Sequence, residues 1–230
     1  MKKAFETLVF AFAVLGAAAA QAQGTNAPAG AATNAATNAA TSVPIEARVA
    51  MCTGCHGIPA YQASFPEVHK VPMISGQNAK YISAALNAYK KGERKHPTMR
   101  AIAASLSDQD INDFAAYYEK NATTTVPEAA AAAPAAVAAL LTKGACASCH
   151  GANFSKPIDG SYPKIAGQHA DYLYVAMKSY KTESNPNLGR SNAIMAGQVK
   201  QFSLAELKAM SAYLATLPGE VKTLAQATRR

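Results

Sequence analysis

Two pentapeptides limit what this chain can become: Cys52-Thr53-Gly54-Cys55-His56 and Cys146-Ala147-Ser148-Cys149-His150. Each reads C-x-x-C-H, the attachment pattern of a c-type haem. On a helical turn, thiols at i and i+3 share one face, so both can form thioethers with the vinyl groups of one porphyrin. The histidine that follows then lies under the ring, where an imidazole nitrogen can bind iron. All four cysteines of the chain are used in this way. Other pairings explain less. A zinc site built from two C-x-x-C pairs has about 15–20 residues between them, whereas some 90 separate Cys55 from Cys146. Disulfides leave the two histidines without a role, and a thioredoxin-like pair wants a βαβ setting that the pattern does not offer. The expected cofactors are two haem c groups, attached at Cys52, Cys55, Cys146 and Cys149, with His56 and His150 on the irons.

Thioether-bound haem suits an oxidising compartment, and the N-terminus agrees. Lys2 and Lys3 precede an apolar run from Leu8 to Ala20 and a small-residue site at Ala20-Gln21-Ala22, the layout of a secretory signal peptide over residues 1–22. The run is short for a bilayer span, and no transmembrane segment is expected after cleavage. The expected address is the periplasm, with membrane association through an uncleaved anchor as the lesser outcome. Nucleic acid is not an expected partner of an exported chain that lacks an aromatic-basic binding motif. The formal charge of +8 suits acidic redox partners or an anionic membrane surface.

Composition divides the remainder. Residues 23–43 are rich in Ala, Asn and Thr and hold too little apolar surface to offset ordering, so they are expected to be a tether. Residues 121–134 repeat that character and read as a linker. Two ordered segments remain, 44–120 and 135–218, followed by a tail over 219–230. The segments are one domain written twice. Pro72-Met73-Ile74-Ser75-Gly76-Gln77 matches Pro163-Lys164-Ile165-Ala166-Gly167-Gln168 at an offset of 91, as do Tyr81 and Tyr172, and Tyr89 and Tyr180. Further on the offset is 96, pairing Leu106-Ser107 with Phe202-Ser203 and Tyr117 with Tyr213. Tyr81, Ile82, Ala85, Leu86 and Tyr89 form one stripe of a helix, repeated in the second copy. Ser203 to Glu206 opens a capped final helix, with Ser107 to Asp110 as its weaker counterpart. With a short helix before each C-x-x-C-H (Ile45 to Met51, Ala135 to Lys143), the fold class is all-α, with three helices per copy.

Each iron needs a second axial ligand or an open face, and the repeat discriminates among candidates. His69, His96 and His169 have no histidine at the matching position of the other copy. Met51 and Met73 face Ala145 and Lys164, while Met177 and Met210 fall on core stripes. Met99 and Met195 match each other at the offset of 96, each on a loop before the last helix. They are the expected sixth ligands, against the alternative that a loop methionine is only apolar filler. Thioether ligation raises the potential, which suits electron transfer and disfavours a dihaem peroxidase. Pro72 and Pro163 open the repeated segment, and their carbonyls are placed to accept the outer N–H of an axial histidine. Gln77 and Gln168 close the segment as further haem-binding candidates. The alternative for this segment is a plain turn before the helices starting near Ala79 and Ala170.

These motifs, over about Pro44 to Pro218, resemble the cytochrome c4 family of dihaem cytochromes. The resemblance implies two tandem class I cytochrome c domains whose haems face one another across an interface. It also implies a role in carrying electrons through the periplasm towards a terminal oxidase, from an upstream quinol-oxidising complex or dehydrogenase. The alternative is a cytochrome subunit of a periplasmic dehydrogenase complex. Copy one departs from the family at Gly57-Ile58-Pro59-Ala60-Tyr61 through Phe65-Pro66, where a glycine-rich loop is usual. Around the first methionine, Lys90, Lys91, Arg94, Lys95 and Arg100 against Glu93 suggest a docking face for an acidic partner. It is stronger than Lys181, Arg190 and Lys200 against Glu183 in the second copy.

Overall fold

Helical stripes decide most of the architecture seen in a computed structural model, which describes residues 43–123, 131–182 and 184–225. The expected signal peptide, the tether apart from Val43, the middle of the linker and the last five residues lie outside the described residues, as does Glu183. In the first half α1 (Ile45–Arg48) and α2 (Ala50–His56) lead into the first C-x-x-C-H, followed by β1 (Gln62–Ala63) and β2 (His69–Lys70). Then come α3 (Ala79–Lys91), β3 (Arg94–Lys95), α4 (Pro97–Ala104) and α5 (Asp108–Lys120). The second half holds α6 (Ala135–Lys143), α7 (Ala147–His150), α8 (Ala170–Ser179), β4 (Gly189–Arg190), α9 (Ala193–Lys200) and α10 (Leu204–Thr216).

Both final helices start on a complete capping box. Ser107 accepts from the Asp110 N–H and Ser203 from the Glu206 N–H, and each N3 carboxylate answers the cap's own backbone. Aspartate therefore does the work of glutamate in the first copy. α3 ends at Gly92, whose φ of 77° provides the left-handed stop that a side chain would resist. Each half has its own apolar cluster. Val49, Ile82, Ile111, Phe114 and Tyr118 build the first, and Leu141, Leu173, Phe202, Leu207 and Met210 the second.

Two helices were not anticipated. Met99 and Met195 sit in the first turns of α4 and α9 rather than on loops. The His96 Nδ1 accepts the Met99 N–H at 3.3 Å, and Asn192 Oδ1 accepts the Met195 N–H at 3.0 Å. Pro97 at the first helical position completes the start of α4. The caps were visible as a matched pair at the offset of 96, but histidine is not among the usual capping residues.

The halves meet through reciprocal contacts, the pattern of an isologous interface. β3 and β4 pair antiparallel, Arg94 opposite Arg190. Three ion pairs also cross: Lys80–Asp159 at 2.9 Å, Lys178–Glu67 at 2.8 Å and Lys70–Asp171 at 3.2 Å. The chain after α10 returns to the first half, where Lys222 bridges Ser75 and the Glu220 carbonyl accepts the Thr123 N–H. Burial alone would raise the Asp171 carboxyl, but hydrogen bonds from the Lys70 backbone and ammonium outweigh it and hold it low. Ser161 and then Lys80 hold Asp159 low as well. A depressed folded pKa stabilises above the unfolded value of about 3.9 and is lost as pH falls through the folded one. The share of thermal stability due to these two carboxylates should thus be constant down to about pH 4 and be lost below it. Asp171→Asn is expected to flatten that acid limb; an unchanged limb would remove Asp171 from the account.

Candidate functional site

One continuous cavity of about 560 Å³ runs through both halves. Cys52, His56 and Met99 line it from the first half, and Cys146, His150 and Met195 from the second. Cys149 also lines it, while Cys55 is half-buried on the same helix as Cys52. None of the four cysteines is in a disulfide. The walls between these groups are mostly apolar: Ile82, Leu86 and Phe114 on one side, Leu173, Met177 and Phe202 on the other.

Both histidines are pinned at one nitrogen. His56 Nδ1–H donates to the Pro72 carbonyl at 2.8 Å, and His150 Nδ1–H donates to the Pro163 carbonyl at 2.9 Å. That bond fixes the tautomer and leaves Nε2 with its lone pair. Burial pushes both imidazoles below their ordinary pKa, against the smaller opposing pull of the proline carbonyls. They are neutral near pH 7, the form in which an imidazole can bind a metal.

Of the cations that the sequence suggests as a docking ring, Arg94 and Arg190 line this cavity, and here the structure differs from the expectation. Arg94 lies over Tyr81 and Tyr89 at 5.2 and 5.6 Å from the ring centres, and its Nη2 donates to the Tyr81 hydroxyl at 2.8 Å. Arg190 repeats this over Tyr172 and Tyr180, at 5.7 and 5.5 Å. Neither pairs with a carboxylate among the described residues. Lys90 is held by the Leu106 carbonyl, Lys95 by that of Asn185, and Lys181 by those of Val199, Lys200 and Phe202. Lys90, Lys91, Arg100 and Lys200 are the exposed members of the ring, and of these Lys91, Arg100 and Lys200 have no carbonyl partner among the described residues. Charge at a helix end adjoining an interface satisfies local carbonyls first, so sequence position could not tell docking cations from structural ones. Repeat pairing could: Arg94 and Arg190 match at the same offset as the methionines.

This donor set fits two haems. Each half presents cysteine thiols, a neutral imidazole and a thioether to an apolar space. Arginines without carboxylates would balance haem propionates, since an unpaired buried cation is costly. Arg94→Met and Arg190→Met should each lower the potential of a haem, because a nearby cation favours the less positive ferrous state. Potentiometric titration measures it, and unchanged potentials would exclude a propionate-facing role.

The cytochrome c family profile matches residues 134–218. Cytochrome c4 of Thiocapsa roseopersicina is 30% identical over 179 residues, covering 71% of this chain and 85% of the relative. The chain belongs to the cytochrome c4 family. The thiosulfate dehydrogenase electron acceptor of Stutzerimonas stutzeri is likewise 30% identical, over 72% of this chain and 78% of that protein. Reduced recombinant cytochrome c4 from Pseudomonas stutzeri superposes with a TM-score of 0.55 at 25% identity, over 75% of this chain and 96% of that one. This c4-type cytochrome therefore has the all-α fold of two cytochrome c-like units, binds haem c at two sites and is an electron carrier rather than an enzyme. Bound haem supplies the one-electron ferrous–ferric chemistry. The chain's own residues hold the imidazole tautomer and line the space with apolar walls, and Arg94 and Arg190 would balance the charge of the haem propionates.

Proposed function

We propose that the protein is a periplasmic shuttle that accepts single electrons from a quinol-oxidising complex or dehydrogenase and delivers them to a terminal oxidase. His56 and Met99 are the axial pair of the first iron, and His150 and Met195 that of the second. The observation that carries this is the shared cavity: both ligand sets open on one apolar space, so an electron can cross between haems without leaving the molecule. Export rests on Lys2, Lys3 and the run Leu8 to Ala20. Among the described residues no helix is long and apolar enough to cross a membrane.

A second role is favoured by the relative named as a thiosulfate dehydrogenase electron acceptor, namely outlet for a periplasmic sulfur-compound dehydrogenase. Stopped-flow mixing separates the two. A shuttle in its ferrous form should be reoxidised by membranes bearing a terminal oxidase. An outlet in its ferric form should be reduced by thiosulfate only when the dehydrogenase is present. Failure in both assays would overturn the proposal. The exposed cations refine the docking expectation. Charge reversal at Lys91 and Arg100 should slow transfer to an acidic partner and flatten its ionic-strength dependence. Reversal at Lys200 should do less, and equal effects would remove the asymmetry between the halves.

A further inference from the structure

Gln77 and Gln168 were grouped with the cofactor-binding residues of their own halves, but each reaches across to the other. Gln77 Oε1 accepts the Lys164 N–H at 2.8 Å while its Nε2 donates to the Lys164 carbonyl at 2.9 Å. Gln168 Oε1 accepts the Met73 N–H at 3.0 Å and its Nε2 donates to the Met73 carbonyl at 2.8 Å. Both side chains are nearly sealed, in residues 4% and 3% exposed, so these bonds do not compete with bulk water. Glycine makes the reach possible. Gly76 and Gly167 have φ of 82° and 72°, and a Cβ on Gly76 would collide with the Glu220 carbonyl oxygen. A side chain there would be refused on both counts.

The residue gripped is the one after each proline, and this matters chemically. The Lys164 N–H and the Pro163 carbonyl are the two ends of one planar peptide unit. Gln77 holds its N–H end, while the His150 Nδ1–H occupies its oxygen at 2.9 Å. In the mirror arrangement Gln168 holds the Met73 N–H, and the Pro72 oxygen of that same unit takes the His56 Nδ1–H at 2.8 Å. Hydrogen bonds in series polarise one another, more so in a low-dielectric interior. An oxygen on the N–H end makes the carbonyl a better acceptor, and a better acceptor makes the imidazole a more basic iron ligand.

We infer that each glutamine is a positioning residue for the opposite haem: Gln77 tunes His150, and Gln168 tunes His56, through one shared peptide unit. The two halves thereby set each other's potentials. A more basic ligand favours ferric iron, so losing the relay raises the potential of the opposite haem. The inference rests on His56 and His150 being the iron ligands.

The test uses the ferrous holoprotein and sequence-assigned NMR of the histidine ring protons. Gln77→Met, similar in length but without polar atoms, should move the His150 Nδ1 proton upfield and leave His56 in place. It should also speed exchange of the Lys164 amide about fivefold, the factor matching the roughly 1 kcal/mol that a hydrogen bond contributes. Gln168→Met should do the converse, at His56 and Met73. Potentiometry should show the same crossed pattern of raised potentials. A response in the glutamine's own half, an equal response in both, or none would overturn the relay. If a methionine variant fails to fold, Gln→Glu keeps an oxygen for the N–H and should leave the opposite histidine's Nδ1 proton at its wild-type position or downfield of it, since a carboxylate is the stronger acceptor. A loss of that histidine signal in Gln→Glu would count against the relay. Absence of a haem ring-current shift on His56 and His150 in the unmutated protein would instead sink the ligand assignment, a distinct failure.

Discussion

Met99→Ala is expected to lower the midpoint potential of one haem sharply, and Met195→Ala that of the other. A thioether stabilises ferrous iron relative to an imidazole, hydroxide or water, and axial identity accounts for a span of about 0.8 V among haem proteins. Each substitution should therefore shift one wave of a two-wave titration by a sizeable share of that span. The second wave should remain near its original position. The helical setting matters to this expectation. Met99 and Met195 each occupy a first turn whose N–H is capped, so the backbone carrying the sulfur is fixed rather than swinging on a loop. Alanine keeps the turn and removes only the ligand, which separates ligation from folding. Two variants with wild-type potentials and spectra would transfer the sixth position to another residue.

Haem removal should unfold the protein rather than leave an empty copy of this fold. The residual-cavity cost in core mutants is about 24 cal/mol per Å³. Applied to a space of 560 Å³, that slope gives on the order of 10 kcal/mol, comparable with the whole stability of an ordinary domain. Water entering the cavity would reduce the figure, but the apolar walls give it few partners. Burial also raises the Cys52 and Cys146 thiols, which keeps them protonated near pH 7 in this fold. A Cys146→Ser, Cys149→Ser variant is expected to lose helical circular dichroism from its second half and to melt at a lower temperature. The first half should lose part of its support too, because Gln168 and Asp171 sit across the interface. Retention of full helicity without the second haem would refute the cavity estimate.

The repeat made much of this legible. A pattern at offsets of 91 and 96 named both methionines, both prolines and both glutamines before any packing was known. It could do so because duplicated chemistry leaves duplicated residues. Helical stripes and capping boxes placed α3, α5, α8 and α10, since those signals act within a few residues of backbone. α4 and α9 escaped notice because His96 caps through a ring nitrogen and because Pro97 reads as a loop residue unless the start of a helix is already suspected.

By itself, the sequence determined the haem attachment pattern, the duplication, the all-α class and the apolar faces. Each of these follows from spacing along one strand of chain, over distances that a helix or a turn makes rigid. Only the tertiary structure decided where the polar groups were spent. Arg94 and Arg190 left the surface for a tyrosine-lined interface, Lys90, Lys95 and Lys181 were taken up by nearby carbonyls, and Gln77 and Gln168 crossed to the other half. The physical reason is that a polar side chain takes whichever partner folding brings within about 3 Å. For Gln77 and Lys164 that partner is 87 residues away in the chain, a distance over which local pattern has no authority.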